Sequence, residues 1–404
     1  MYFALTDEQR ALQDAVRSYL RDRFGPQQVR AVYEDPAGDA DPAELWKAFG
    51  EQGWLAVLVP EEHDGIGLGL LDAAVLARAF GAGTVPGPWL GTVLAGEALR
   101  LAGSAEQQAA WLPRIAAGEV KGAVALHRPG STPVPANAPA TASGGTLSGS
   151  LALVEYAGVA DVLVVAATDE QGAAGLYLVD PAAQGVTVTR LEALDRTTRT
   201  SHVQLDGAAA ERLEGSSDAV LQSLLDRGAV LVANDLVGIA RKALTDTVEY
   251  DKTRVQFGRP VGSFQAIKHN LADLHVGVTM AEHAAWFAAF AMDTDDPDVD
   301  AAVSIAKAKA SDVARQATSD MIQYHGGIGY TWEHDAHFYF KRAKRLEYAF
   351  GDATQHRERI ARLVLDRVSA ERSLSFGEAG AQGGQAGVGM ASAAQGTGVA
   401  AGAT

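Results

Sequence analysis

The chain has 404 residues, of which 47% are apolar and 21% charged, so it can form two or three domains and is too apolar for wholesale disorder. It carries 50 acidic and 34 basic residues, and this net charge of −16 disfavours binding to nucleic acid or to anionic membranes. The absence of cysteine excludes disulfides, thiolate metal sites and a cysteine nucleophile, and no metal site is expected.

The N-terminal region, residues 1–122, is predicted to be a helical domain. Thr6 and Gln9 have the spacing of a capping box, and Leu12, Val16 and Leu20 follow at helical intervals. Further helices are predicted over residues 43–53, 70–80 and 105–117. The N-terminus lacks the pattern of a signal peptide, and no run of about 18 apolar residues is present, so the cytoplasm is the expected location.

From about residue 123 the sequence changes to short runs of strand-forming residues. Residues 128–145 are rich in Pro, Gly, Ser and Thr and are predicted to be a long loop. Four strand-like runs follow, at residues 161–167, 175–180, 186–191 and 202–205. We therefore predict a small antiparallel β domain over residues 123–213.

Helical periodicity returns in residues 214–373, which are predicted to form a helical bundle. Three apolar stripes are visible: Val232, Leu236, Ile239 and Ala243; Ile267, Leu271, Leu274 and Val278; and Val303, Ala306, Ala310, Val313, Ala317 and Met321. A last helix is predicted over residues 353–371. The tail, residues 374–404, is dominated by Gly, Ala, Gln and Ser and is predicted to be disordered.

Two segments of the predicted bundle contain candidates for cofactor binding. The first reads RVQFGRP at residues 254–260 and continues as FQAIKHNLAD at residues 264–273. A guanidinium beside a tight Gly/Pro turn, with an aromatic ring and a glutamine nearby, can neutralise a diphosphate and pack against a planar ring. An ordinary helix end, turn and helix start would have a similar composition.

The second segment reads QYHGGIGYTWEHD at residues 323–335. Its glycines follow a predicted helix and not a strand, so a Rossmann phosphate loop is not expected. Such a turn can end a helix and also present backbone N–H groups to phosphate oxygens. His325 and His334 in this segment are interpreted as structural residues.

Together, the two segments resemble the signatures of the acyl-CoA dehydrogenase family, and the resemblance extends over about residues 1–370. It implies an α+β fold with an N-terminal helical domain, a middle antiparallel β domain and a C-terminal four-helix bundle. It also implies an FAD cofactor, bound by Arg254, Phe257, Gln265, Gln323, Gly326 and Gly327. Asp352 is a further cofactor-binding candidate, although its position also suits the N-cap of the last helix.

The resemblance also implies partners. In the family the second segment contacts the FAD of a neighbouring subunit, so a homo- or hetero-oligomer is expected. The substrate would be an acyl-CoA thioester, and an electron-transferring flavoprotein would accept the electrons.

The reaction implied by the resemblance is α,β-dehydrogenation, in which a base removes the α-proton and the β-hydrogen leaves as hydride to flavin N5. Most family members place a Glu before a Gly shortly after an Ala-Lys pair, but here Ala343-Lys344 is followed by Phe350-Gly351. A minority place the base on the helix before the first signature, and that position is Gly228 here. Neither residue can accept a proton.

Two nearby carboxylates are therefore the catalytic candidates. Glu347 lies one helical turn before Phe350, about 4.5 Å along the axis, and Asp226 is reached if the alignment slips by two residues. Asp235 lies about 10 Å from Gly228 along a helix, which is far for the same proton. The strand that faces the flavin in the family corresponds to residues 153–156, where Glu155 either faces the flavin or is a solvated strand residue.

Three functions remain open on the sequence. The first is an acyl-CoA dehydrogenase that uses a displaced carboxylate. The second is a base-lacking partner subunit that completes a shared FAD site, as in the heteromeric branch of the family that oxidises sterol side-chain thioesters. The third is a flavin oxidase or monooxygenase with the same fold.

Overall fold

The computed structural model describes residues 4–35 and 42–366. Residues 1–360 form one compact unit and Ala361–Thr404 a second, whose described residues, 361–366, are helical. The predicted disordered tail lies outside the described residues, as does the end of the predicted last helix.

Six helices form the N-terminal region: α1 Asp7–Arg23, α2 Pro26–Glu34, α3 Ala43–Glu51, α4 Leu70–Ala82, α5 Trp89–Ala102 and α6 Ala105–Ala116. The capping box is confirmed, because the Thr6 hydroxyl accepts from Gln9 N and the Gln9 side chain accepts from Thr6 N. The four predicted helices are confirmed, whereas α2 and α5 were not predicted. Helix α5 is buried over most of its surface, so it lacks the one-sided apolar stripe that the prediction relied on.

The middle region contains eight strands: β1 Gly122–Ala125, β2 Ala140–Ser143, β3 Thr146–Glu155, β4 Val162–Thr168, β5 Ala174–Val179, β6 Val186–Leu191, β7 Thr200–Ala209 and β8 Glu211–Arg212. The four predicted strands are present. The prediction of an unbroken loop over residues 128–145 was wrong, because β2 lies within it and pairs with β3. Most pairings are antiparallel, but β1 and β2 both pair in parallel with β4.

Strand β4 separates two apolar cores. Val162, Val164 and Ala166 pack into the core of the helices, while Leu163 and Val165 pack into the core of the sheet itself. This burial on both faces explains the continuous apolar sequence of the strand. The sheet is therefore fixed against the helical regions.

The C-terminal region is built from α7 Asp218–Thr253, α8 Gln265–Asp293, α9 Val299–Tyr324 and α10 Ala336–Leu346, and a last helix begins at residue 353. A short hairpin, β9 Val255–Gln256 and β10 Arg259–Pro260, joins α7 to α8. The three predicted apolar stripes lie in α7, α8 and α9, and all their members are buried except Ile267, which is half-buried. The helical bundle is thus confirmed.

Candidate active site

A cavity of about 530 Å³ lies where the helical and sheet regions meet. Its wall is formed by the start of α5, the chain that follows β1, the second half of β3 and residues 345–355. Most of this lining is apolar. The cavity can therefore enclose an apolar acyl group and exclude water from it.

The two positions at which the family carries its base meet in this structure. Phe350 lines the cavity, and an ideal Cβ built on Gly228 would lie 2.4 Å from its Cε1 atom. The ring therefore occupies the space that any side chain at position 228 would need. Substitutions more than 100 residues apart in sequence are consequently coupled, and neither position supplies a carboxylate.

The segment that carries Phe350 is held by buried hydrogen bonds. Phe350 has a φ of +54° and Gly351 of +93°, so the chain turns sharply there. Lys307 Nζ is fully buried and donates to the carbonyls of Glu347 at 3.1 Å and Gly351 at 2.8 Å, and burial lowers the pKa of Lys307 to about 7. His356 Nε2 donates to the Phe350 carbonyl at 2.9 Å. No local pattern indicates this role for Lys307, since it differs little from its neighbour Lys309 in an alanine-rich helix.

Both carboxylates predicted as catalytic lie outside the cavity lining. Glu347 is buried, and its Oε1 atom accepts from Lys344 Nζ at 2.8 Å. Asp226 accepts two hydrogen bonds from Arg359, at 2.5 and 2.9 Å. Burial raises the pKa of Asp226, although the guanidinium opposes that change. The catalytic roles of Glu347 and Asp226 remain predictions, and the geometry gives both residues other partners.

Two other carboxylates do line the cavity, and each is already engaged. Glu155, near the end of β3, forms an ion pair with Arg345, which also pairs with Asp195 at 2.7 Å. Asp352 forms a capping box with Gln355, through hydrogen bonds of 2.8 and 3.0 Å. The N-cap interpretation of Asp352 is confirmed, and its predicted contact with the cofactor remains a prediction.

His127 is a cavity residue that sequence reasoning missed. It follows β1, and its ring centroid lies 5.9 Å from that of Phe350. Burial lowers the pKa of His127 below its usual value, so the imidazole is neutral near pH 7. A histidine at the end of a short strand carries no local signal, because only the folded chain shows that it faces a cavity.

The residues predicted to bind FAD lie elsewhere, at one end of the helical bundle. The turn between β9 and β10 consists of Phe257 and Gly258, with φ of +54° and +75°, which is the backbone of a type I′ hairpin turn. This turn projects Phe257, whose side chain is 94% exposed. Arg254 ends α7 and Gln265 begins α8, and both are exposed.

The second segment lies at the same end. The Tyr250 and His325 rings stack at 4.3 Å, and Asn270 Nδ2 donates to the Tyr324 hydroxyl at 2.8 Å. These contacts join the end of α9 to α7 and α8, so the two predicted segments come together. His325 is buried and its Nδ1 donates to the Met321 carbonyl at 2.7 Å, consistent with a structural role.

This end of the bundle fits the diphosphate part of FAD. Gln323, Gly326 and Gly327 are exposed, and a Cβ built on either glycine would meet no atom within 4 Å. Arg254 offers a guanidinium, the glutamines offer amides, and the glycine turn leaves room for a phosphate to approach the backbone. When bound, FAD would supply a two-electron hydride acceptor.

The cavity and the diphosphate-binding end are far apart in one subunit. Gly228 packs against Phe350 of the cavity wall, and Arg254 is the C-cap of the same helix, α7. The 26 positions between them correspond to about 39 Å along the helix axis. An extended FAD molecule is shorter than this distance.

Among the described residues, no helix combines the length and the apolar character that crossing a membrane requires.

The helical N-terminal region, the curled sheet and the helical bundle define an acyl-CoA dehydrogenase fold. The chain belongs to the acyl-CoA dehydrogenase family. Residues 6–119 match the family's N-terminal domain and residues 218–365 its C-terminal domain. FAD is the cofactor of this family, and its members are oxidoreductases.

Similar proteins include two from Mycobacterium tuberculosis (strain ATCC 25618 / H37Rv). The acyl-CoA dehydrogenase IpdE2 is 33% identical over 83% of this chain and 91% of its own length. The acyl-CoA dehydrogenase FadE27 is 35% identical over 80% of this chain and 88% of its own.

Two solved structures are similarly related. A single-residue variant of the Tcur3481-Tcur3483 steroid ACAD has a TM-score of 0.82 and 31% identity, over 90% of this chain and 99% of that one. The ChsE4-ChsE5 complex from Mycobacterium tuberculosis has a TM-score of 0.82 and 30% identity, over 90% and 99%.

Proposed function

We propose that this chain catalyses the FAD-dependent α,β-dehydrogenation of an acyl-CoA thioester in the cytoplasm, at a site assembled from two subunits. The observation that carries the proposal is the distance of about 39 Å along α7 between the cavity wall and Arg254. Because one FAD cannot span it, the cavity of one subunit needs the diphosphate-binding end of another.

Each region has a distinct task in this proposal. The apolar cavity surrounds the acyl group and keeps water from the reacting carbons. Arg254, Gln265, Gln323 and the Gly326–Gly327 turn hold the diphosphate of the cofactor whose reacting ring lies in the neighbouring subunit. Exposed Phe257 packs at the same junction. An electron-transferring flavoprotein is the expected acceptor of the electrons.

The substrate class that we propose is an acyl-CoA with a bulky, ring-containing acyl group. The lining of the cavity is mostly apolar, which suits such a group, and its two carboxylates, Glu155 and Asp352, are engaged in other contacts. Two relatives by structure are a steroid ACAD variant and the ChsE4-ChsE5 complex, which agrees with this choice.

The test is anaerobic bleaching of the flavin spectrum by a panel of acyl-CoA esters, using the chain purified alone. Bleaching by ring-containing esters supports the proposal, and bleaching by straight-chain esters alone would correct the substrate class. Oxygen consumption after flavin reduction would instead indicate an oxidase or monooxygenase.

A second candidate function is a base-lacking partner subunit. It is favoured by the packing of Phe350 on Gly228, which removes both usual base positions together. In that case the purified chain alone would not be bleached by any ester. Co-expression with a similar chain that carries the family's Glu would then restore bleaching.

A further inference from the structure

We propose that His127 is the proton acceptor of the cavity and that its Nε2 atom takes the α-proton of the acyl thioester. This inference rests on the proposed function, since it supplies the base that positions 228 and 350 lack. It assigns a catalytic role to a residue in the sheet region, two residues after the end of β1.

The position of His127 is well defined by its surroundings. β1 lies in parallel register with β4, from Gly122 opposite Val162 to Ala125 opposite Val165. Gly122 N also donates to the buried Thr92 hydroxyl of α5 at 2.9 Å. Two residues after this anchored strand, the imidazole reaches the cavity beside Phe350, at a ring separation of 5.9 Å. It therefore lies next to the residue that replaces the family's Glu.

The hydrogen bond of His127 is made by Nδ1, which leaves Nε2 able to accept a proton. Nδ1 lies 3.1 Å from the Arg128 carbonyl oxygen, which can only accept, so Nδ1 carries the hydrogen. In a neutral imidazole Nε2 then holds the lone pair. Burial lowers the pKa of His127, and within the described part of the chain it forms no ion pair that would hold it protonated.

The other titratable groups of the cavity are less suited to accept a proton. Glu155 is paired with Arg345, and Asp352 caps the last helix. Tyr348 offers a phenol hydroxyl, which donates hydrogen bonds. Of the described residues that line the cavity, His127 is thus the one neutral base without a competing partner.

The atoms and electrons of the proposed step balance when FAD, the cofactor of the family, is the oxidant. The α-C–H bond breaks and its proton moves to Nε2, giving an imidazolium. The electron pair of that bond would form the α,β double bond. FAD, when bound, would accept the β-hydrogen as hydride, so that the acyl group loses two electrons and the cofactor gains two.

His127→Gln keeps a polar side chain of similar size but cannot accept the proton, and His202→Gln is the control. His202 lies on β7 outside the cavity, with its Nε2 at 2.8 Å from the Ser150 hydroxyl. For His127→Gln we expect the rate of flavin reduction to fall by roughly 100-fold or more, with acyl-CoA affinity and FAD content close to wild type. The rate of wild type should also fall as the pH decreases, because imidazolium cannot act as a base, and His127→Gln should lose this dependence.

A second readout needs no turnover. Protein labelled with ¹⁵N-histidine should show one resonance, absent from His127→Gln, with a protonated Nδ1 and an unprotonated Nε2 near pH 7. Unchanged flavin reduction in His127→Gln, or an Nε2 that carries the hydrogen, would overturn the assignment and leave the proposed function intact. If wild type reduces no flavin with any ester, the proposed function and the assignment both fail.

Discussion

At the scale of single residues, the two departures from the family pattern, at positions 228 and 350, belong to a single packing contact. Phe350 fills the space over Gly228, and the backbone around Phe350 is held by Lys307 and His356. Replacing one residue without the other therefore disturbs a packed interior. A carboxylate at position 228 would require the Phe350 ring to move, whereas a carboxylate at position 350 would replace that ring.

Gly228→Ala is expected to destabilise the protein by roughly 1–3 kcal/mol, because its Cβ would lie 2.4 Å from Phe350 Cε1. Gly96→Ala is the matched control, since it is also buried in a helix but its Cβ would meet its nearest atom at 3.7 Å. Urea unfolding should show a loss only for Gly228→Ala, and Phe350→Ala in the same chain should reduce that loss. Equal effects of the two glycine variants would contradict the packing argument.

Asp251 is a buried carboxylate whose two oxygens have no hydrogen-bond partner among the described residues, and burial raises its pKa to about 6. The folded state then binds more protons than the unfolded state between about pH 4 and pH 6. Stability contributed by this group is therefore lost as the pH rises through that window. Asp251→Asn should raise the free energy of unfolding by roughly 1–3 kcal/mol at about pH 8, with little change at about pH 4.

Thermal unfolding at the two pH values measures this effect. Asp206→Asn, at an exposed position of β7, is the control. The same gain in both variants, or a gain for Asp251→Asn that does not depend on pH, would argue against the burial of an ionised carboxylate as the cause.

At the scale of elements, the hairpin between α7 and α8 places a cation and an aromatic ring at an exposed helix junction. Its turn needs positive φ at both central residues, and Phe257 adopts this conformation beside Gly258. A phenyl ring that is 94% exposed contributes little to the stability of an isolated subunit. The exposed ring of the hairpin is thus available to contact a neighbouring subunit or a ligand, and it does not pack in the core.

Arg254→Gln should weaken FAD retention by about tenfold or more, because a bidentate guanidinium–phosphate contact contributes well over 1 kcal/mol. Lys252→Gln is the matched control, since it removes one positive charge from the same exposed end of α7. The amount of FAD that each variant retains after gel filtration is measured by absorbance, and it should fall for Arg254→Gln but not for Lys252→Gln. Equal losses would mean that net charge, and not the guanidinium, binds the cofactor.

At the scale of the whole molecule, the two parts of the proposed FAD site belong to different regions of the chain. The cavity depends on contacts among α5, β1, β3 and residues 345–355, whereas the diphosphate-binding end depends on the junction of α7, α8 and α9. Helix α7 keeps these regions about 39 Å apart. In the proposed function, one active site is therefore formed by two subunits.

Complementation between two defective subunits tests this arrangement. Ala152→Trp should fill the cavity from an exposed position on β3, and Arg254→Gln should disable the diphosphate-binding end. Each variant alone should show little flavin reduction. Co-expressed, they should form mixed assemblies in which the cavity of the Arg254→Gln subunit meets an intact Arg254, and part of the activity should return. No recovery in a confirmed mixed assembly would place the whole site within one chain.

Much of the fold could be predicted because its signals are local. The Thr6–Gln9 capping box, the apolar stripes of α7 to α9 and the composition of β4 to β6 can each be recognised within a short stretch of sequence. Helix α5 and strand β2 were not predicted, because neither has a local signal. Helix α5 is buried on nearly all sides. Strand β2 lies in a segment rich in turn-forming residues and is stabilised by pairing with β3 and β4.

The sequence by itself determined the family and the order of the three regions, because contiguous signatures around Arg254 and Gln323 carry that information, and the FAD-binding roles of these residues remain predictions. Only the tertiary structure decided which groups face the acyl cavity. In the folded chain Phe350 packs against Gly228, Asp226 forms an ion pair with Arg359, and His127 lies in the cavity wall. These contacts join residues more than 100 positions apart, and side-chain packing at that separation leaves no periodic trace in the chain.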